Sequence, residues 1–501
     1  MQLTRRQLLL GLGGATIAAG TGGYGLWRWR RGPELRALSL GELGERAFDV
    51  CVIGSGPAGA VLAGELLERG LRVLVLESGV PVEQTAALGW NPAALDVYEM
   101  DGDPPYPLQA TRLRALGGSS NLWTGRCSRL HPLDFENNAY TPPDNPWPIR
   151  YADLEAYYAR AEQTLDVRGG ALSEYHAPRR KQLPRGEDEH LDDLRGALAD
   201  LDLTLDPSPT SHAPRWRSGP LRSGRDLLPA FAESRLGALV TDATVVRLDA
   251  DASGRVTGAD VRSTRGERRS VRAEIFVVAC GALESVRLLL LSRSAQHPVG
   301  LGNAGDQLGR GFNEHPNLSF TGELPEETPG GALARSHQLY DAAKQAGLGS
   351  AIYVFTTSSR QPHFLAIGAT LEMFPDPENR LTLAPAARDA FGSPGLRLSW
   401  RFSPQDRATL AATRENIAKL YERLAATQVE ERSLSWSHHH IGGCRMGADP
   451  ATSVVDPNLR VHGSANLHVL SSAVFVTGGA AHPTLAIVAL AHRLADHLAP
   501  A

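Results

Sequence analysis

Phe48-Asp49-Val50-Cys51-Val52-Ile53-Gly54-Ser55-Gly56-Pro57-Ala58-Gly59 is the stretch that decides the fold. Its first six residues form a short apolar run that reads as a buried strand, and it leads directly into a glycine-rich turn. Residues 60–69 then place Val61, Leu62, Glu65, Leu66 and Leu67 at helical spacing, Gly70 stops the helix, and residues 71–76 read as a second strand closed by Glu77. This is a βαβ dinucleotide unit: Gly54, Gly56 and Gly59 allow tight turning and close backbone approach. A pyrophosphate would lie over the helix N-terminus, where free N–H groups and the dipole favour negative charge. Glu77 would accept hydrogen bonds from the ribose hydroxyls, which disfavours NADP; the turn alone does not separate FAD from NAD.

Working outward, the chain has 501 residues, enough for two or three domains, and a formal charge of -4. So small a charge gives no reason to expect a nucleic acid, whose partners usually carry a concentrated basic face. Cys51, Cys127, Cys280 and Cys444 lack zinc or c-type haem spacing and read as buried thiols, Cys51 and Cys280 inside apolar strand-like runs. At the front, Thr4-Arg5-Arg6-Gln7-Leu8-Leu9-Leu10 precedes an uncharged, glycine-rich run to Leu26, the layout of a twin-arginine export signal. That route carries folded proteins and suits a chain that acquires its cofactor before export. The expected location is the periplasm or the outer face of the cytoplasmic membrane; an uncleaved membrane anchor is the alternative.

A second glycine segment, Ala115-Leu116-Gly117-Gly118-Ser119-Ser120-Asn121-Leu122-Trp123-Thr124-Gly125, resembles the one that runs along the flavin in the glucose-methanol-choline (GMC) oxidoreductases. Residues 275–285, Leu308-Gly309-Arg310-Gly311-Phe312-Asn313-Glu314-His315-Pro316, and residues 453–463 match further family stretches. The resemblance implies FAD, with cofactor contacts from Gly118, Ser119, Asn121, Trp123, Thr124, Val245, Pro483 and Thr484. Leu122 stands where some members attach FAD through a histidine, so noncovalent FAD is expected. Ser471 replaces an aspartate common in the family.

The expected fold is α/β, with a Rossmann-like FAD-binding domain built from discontinuous segments and a substrate domain containing a mainly antiparallel sheet and helices. FAD-binding parts are expected at 47–146, 231–318 and 436–501, substrate parts at 147–230 and 319–435, and the signal or anchor at 1–31. Leu396, Leu398, Trp400 and Phe402 alternate with polar residues, the period of a half-buried strand assigned to the substrate domain. Residues 364–374 and 380–383 are further strands, residues 151–165 favour a helix, and Leu410, Ile417, Leu420 and Leu424 line a helix ending near Thr427. The proline- and arginine-rich stretch 170–224 reads as a mobile lid or a surface excursion.

Two histidines near the C-terminus carry the chemistry: His439 in His438-His439-His440-Ile441-Gly442-Gly443, and His482 in Gly478-Gly479-Ala480-Ala481-His482-Pro483-Thr484. Imidazole can take a hydroxyl proton and return it near neutral pH. By the family match His439 is the leading base and His482 its partner. Three consecutive histidines suggest a metal cluster, but on an extended segment His439 points away from His438 and His440, and no Cys, Asp or Glu stands at ligand spacing; no metal is assigned. Pro483 suits the first turn of the apolar helix that follows, whose N-terminal dipole would favour negative charge on the reduced flavin. The expectation is an exported FAD-dependent alcohol dehydrogenase acting on a small alcohol, a sugar or polyol among them, with a quinone or cytochrome as acceptor. An oxygen-using oxidase, a lyase with structural FAD, and a nonenzymatic FAD-binding protein are the rival readings.

Overall fold

The computed structural model describes residues 37–169, 187–213, 219–228, 231, 234–328 and 330–500. The expected signal at 1–31 lies outside them. Among the described residues no helix is long and apolar enough to cross a membrane.

The first strand, β1 (Phe48–Ile53), the helix α1 (Pro57–Glu68) and β2 (Val73–Leu76) form the predicted βαβ unit. Three more strands complete its sheet: β3 (Gly237–Val240), β4 (Ala273–Val278) and β5 (Leu467–Val469), in the order β5-β4-β1-β2-β3. Every pairing is parallel. Parallel strands are covered on both faces, which is why Val50, Cys51 and Val52 are fully buried in an unbroken apolar run. Each such side chain contributes roughly 1.5–3 kcal/mol of burial. The helix α2 (Gly281–Leu291) follows β4, and α3 (Thr484–Leu498) packs against α1.

A second sheet is antiparallel throughout and has seven strands. Its centre is Pro316–Glu323, Gln361–Leu371 and Ala351–Ser358. The mixed α/β class expected from the sequence is thus the observed one. The alternating strand is also present, at Pro394–Arg401, with Leu396, Leu398 and Trp400 buried. Its partners differ from the expected sheet: it pairs antiparallel with Arg380–Arg388 and parallel with Tyr98–Asp103, outside the seven-stranded sheet.

The helix after it spans Pro404–Arg423, started by a Ser403–Asp406 capping box, and ends before the expected Thr427. Ala425 takes a positive φ, and Thr427–Glu431 joins the edge of the large sheet instead. Within 170–224, residues 170–186 and 214–218 lie outside the described part, but the end of that stretch is no surface excursion. Ser223 and Gly224 are buried against the second glycine segment, where Ser223 Oγ donates to the carbonyl of Gly117 at 2.8 Å. Three cysteines are buried, whereas Cys280 is half-buried at the end of β4 and donates to the Ile53 carbonyl at 3.1 Å. Burial pushes its thiol up to about 12.

Candidate active site

One continuous cavity of about 660 Å³ touches both glycine segments and both histidines. Of the residues predicted for the site, Gly54, Gly56, Glu77, Gly118, Ser119, Trp123, Thr124, Val245, His439, His482, Pro483 and Thr484 line it. Gly59 and Asn121 do not; they build its walls. A Cβ on Gly59 would stand 2.0 Å from the Gly54 carbonyl oxygen, so this glycine lets α1 close onto the turn. Asn121 Nδ2 donates to the carbonyls of Leu116 and Gly118, both at 2.9 Å, and braces the second glycine segment.

These residues fit a dinucleotide. A Cβ on Gly56 would meet nothing within 4 Å, and one on Gly118 would touch only Gly56, at 3.5 Å, so the two turns pack closely at the cavity wall and leave the space beside Gly56 open. No side chain caps α1, leaving its first N–H groups and positive dipole end available to a pyrophosphate. Glu77 has a second task that the sequence reading missed. Its Oε2 accepts from the Ser55 amide at 3.0 Å and the Ser55 hydroxyl at 2.5 Å, and its Oε1 accepts from the Gly79 amide at 2.7 Å. The acid therefore fastens the turn to β2 while keeping lone pairs for a ribose.

At the reacting end, the His439 and His482 rings are 4.9 Å apart, centroid to centroid, and inclined at 69°. His439 Nδ1 meets His315 Nδ1 at 3.0 Å. Burial lowers all three imidazoles: His315 to about 4, against the opposing pull of Glu372, and His439 and His482 well below the ordinary range, where repulsion from neighbouring charged imidazoles adds to it. All three are neutral at pH 7. Two neutral imidazoles at 3.0 Å share one proton, so one Nδ1 donates and the other accepts. The helix α3 begins beside His482, with Pro483 one position before its first residue and no side-chain cap.

Beneath His439 lies a shell of polar groups that the sequence reading did not assign. Glu314 is fully buried, and burial raises its carboxyl to about 7. Its Oε1 accepts from the amides of His315 at 2.8 Å and His439 at 2.6 Å; its Oε2 accepts from the amide of His438 at 2.7 Å and the Tyr106 hydroxyl at 2.9 Å. His440 Nε2 lies 2.9 Å from the same hydroxyl. His438 and His440 thus flank Tyr106 while His439 faces His315 and His482. The expected divergence is observed, but the segment is not extended: His438 has φ +59, which turns two consecutive amides onto one carboxylate. Glu314 and His315 carried a signal only through the family match at residues 308–316. Tyr106 carried none.

The family profile described as GMC oxidoreductase matches residues 375–491, and the one described as FAD dependent oxidoreductase matches residues 49–300. Paromamine 6'-oxidase of Streptomyces fradiae is 30% identical over 91% of this chain and 92% of its own length. The chain belongs to the GMC oxidoreductases. It is an FAD-dependent oxidoreductase. The fructose dehydrogenase large subunit of Gluconobacter japonicus is 26% identical over 89% of this chain and 97% of its own. Among solved structures, pyridoxine 4-oxidase from Mesorbium loti shares the fold, with a TM-score of 0.65 at 20% identity over 90% of this chain and 99% of that one. The GMC assignment implies FAD, and the geometry shows which residues line the cavity.

Proposed function

We propose that this GMC protein oxidises a CH–OH group of a small alcohol, with a sugar or polyol as the favoured substrate and a separate quinone or cytochrome as electron acceptor. The observation that carries the reading is the placement of His439 and His482 edge to face, 4.9 Å between ring centroids, in the wall of a cavity that both glycine segments also line. Relatives named for paromamine, fructose and a diol support the substrate class. FAD, when bound, supplies the hydride acceptor.

The side chains do the rest. His439 holds the Nδ1 proton toward His315 and so presents a free Nε2 lone pair to the substrate hydroxyl. His482 donates to or accepts from the same hydroxyl, and because two adjacent imidazoles resist double protonation, only one carries the proton at a time. The uncapped start of α3 favours negative charge near Pro483 and Thr484. Leu122, exposed to the cavity, offers no nucleophile, consistent with noncovalent FAD. Residues 1–31 act, on this reading, as a twin-arginine signal that carries the folded holoprotein to the periplasm, with oxygen as the alternative acceptor.

The test is the flavin absorbance of the purified protein without oxygen while D-fructose, D-glucose, glycerol and benzyl alcohol are added in turn. Bleaching by a hydroxylated compound is expected. A flavin that none of the four bleaches would sink the reading and favour a structural FAD.

A further inference from the structure

The buried carboxylate of Glu314 has no cationic partner among the described residues, although burying an unpaired charge is expensive. Neutral donors alone surround it, and their arrangement is specific. One oxygen, Oε1, accepts from the amides of both His315 and His439, the two residues whose rings meet at Nδ1. The other, Oε2, holds the amide of His438 and the hydroxyl of Tyr106. A single carboxylate thus fixes the backbone from which each ring of the pair springs. Ser437 adds a further tie, its amide donating to the His315 carbonyl at 3.1 Å.

We propose that Glu314 is a positioning residue for the oxidation step: it sets the spacing of the His315–His439 pair and thereby keeps the proton of His439 on Nδ1 and the lone pair of Nε2 in the cavity. The assignment rests on His439 being the base. A carboxylate suits the task because both oxygens accept, four donors in all, whereas an amide accepts at one oxygen and turns a donor toward the others. Displacing the base by about 1 Å costs about a hundredfold in rate.

The test uses the FAD-loaded protein. In Glu314→Gln the limiting rate of anaerobic flavin reduction by the most effective of the four probe compounds should fall about a hundredfold, with its half-saturating concentration changed less than about threefold. Hydrogen exchange of the 437–441 peptide, followed by mass spectrometry, should quicken at the amides of His438 and His439. Glu314→Asp, which retains two acceptor oxygens, should recover at least about tenfold of the lost rate. His315→Phe separates the two effects: it should lose rate to a similar extent while leaving that peptide protected, and it serves if Glu314→Gln fails to fold. Wild-type rates in Glu314→Gln, or in His315→Phe, overturn the proposal, as does exchange at 437–441 that Glu314→Gln leaves unchanged. If His439→Ala reduces its flavin normally, the base reading fails instead, and the exchange measurement still reports on Glu314.

Discussion

At one end of the cavity the turn from Gly54 to Gly59 is made by consecutive residues; at the other, His439 is set by Tyr106, Glu314 and His315, none of them near it in sequence. The first region works through what is missing. Gly59 has no Cβ because the Gly54 carbonyl occupies its place, and the bare Gly56 leaves open space in the cavity wall. The second works through added groups whose donors and acceptors are matched one to one. A site of the first kind fails by steric block, and a site of the second kind fails by loss of aim.

The largest expected effect separates the two glycines of the turn. Gly59→Ala drives a methyl against backbone at 2.0 Å, so it should destabilise the fold by about 3 kcal/mol, read as a lower denaturant midpoint, and yield no bound FAD. Gly56→Val has room in the protein itself and should fold with an unchanged midpoint, yet purify without yellow colour. A yellow Gly56→Val protein would show that the pyrophosphate lies elsewhere. Next comes His439→Ala, which should keep its FAD and lose about a thousandfold in anaerobic reduction by stopped-flow absorbance. A loss of FAD instead would erase the contrast between the two ends. His482→Asn should lose only about tenfold, because asparagine can still hydrogen-bond the hydroxyl; complete inactivity would assign it a proton-transfer role.

The smallest effect is on pH dependence. A base must be unprotonated to act, and burial holds His439 well below 6.5, so protonation begins only at acid pH. Protonation of His439 should therefore change the reduction rate less than about twofold between pH 8 and 6.5, where an ordinary histidine would already be half protonated. Burial raises the Glu314 carboxyl to about 7, so a larger fall that Glu314→Gln abolishes belongs to Glu314, and a fall that persists in Glu314→Gln would mean that His439 is better solvated than the geometry requires.

The first two strands of the parallel sheet were legible because their signals are local: apolar runs of strand length, a glycine turn, and an acid closing the second strand, whereas Gly237–Val240 was not read as a strand. Tyr98–Asp103 shows why other elements were not. Its sequence is acidic and half-exposed, and it is a strand only because Pro394–Arg401 supplies the pairing. Ser223 and Gly224 sit at the end of a stretch without periodicity, and their burial follows from contact with Gly117, which no local pattern announces. The histidines were legible as a motif, and His439 does face away from its neighbours, though by a left-handed turn at His438 and not by strand alternation. Glu314 lay in a stretch marked by the family resemblance, but its role was out of reach: an acid reads as exposed until its four donors, drawn from three parts of the chain, are in place.

The edge strand β5 carries a consequence for how the chain is made. It pairs with β4, yet Leu467–Val469 leave the ribosome long after Ala273–Val278. At ordinary synthesis rates the gap is roughly ten to forty seconds, during which the apolar edge of β4 has no partner. The histidines of the site and the helix that covers α1 arrive later still or in the same interval. The cavity wall is therefore complete only once residues as late as Thr484 and Ile487 have been made. The nascent chain needs shelter along one strand edge, and holdase depletion should lower the yield of this protein more than that of a fold whose sheet closes in order.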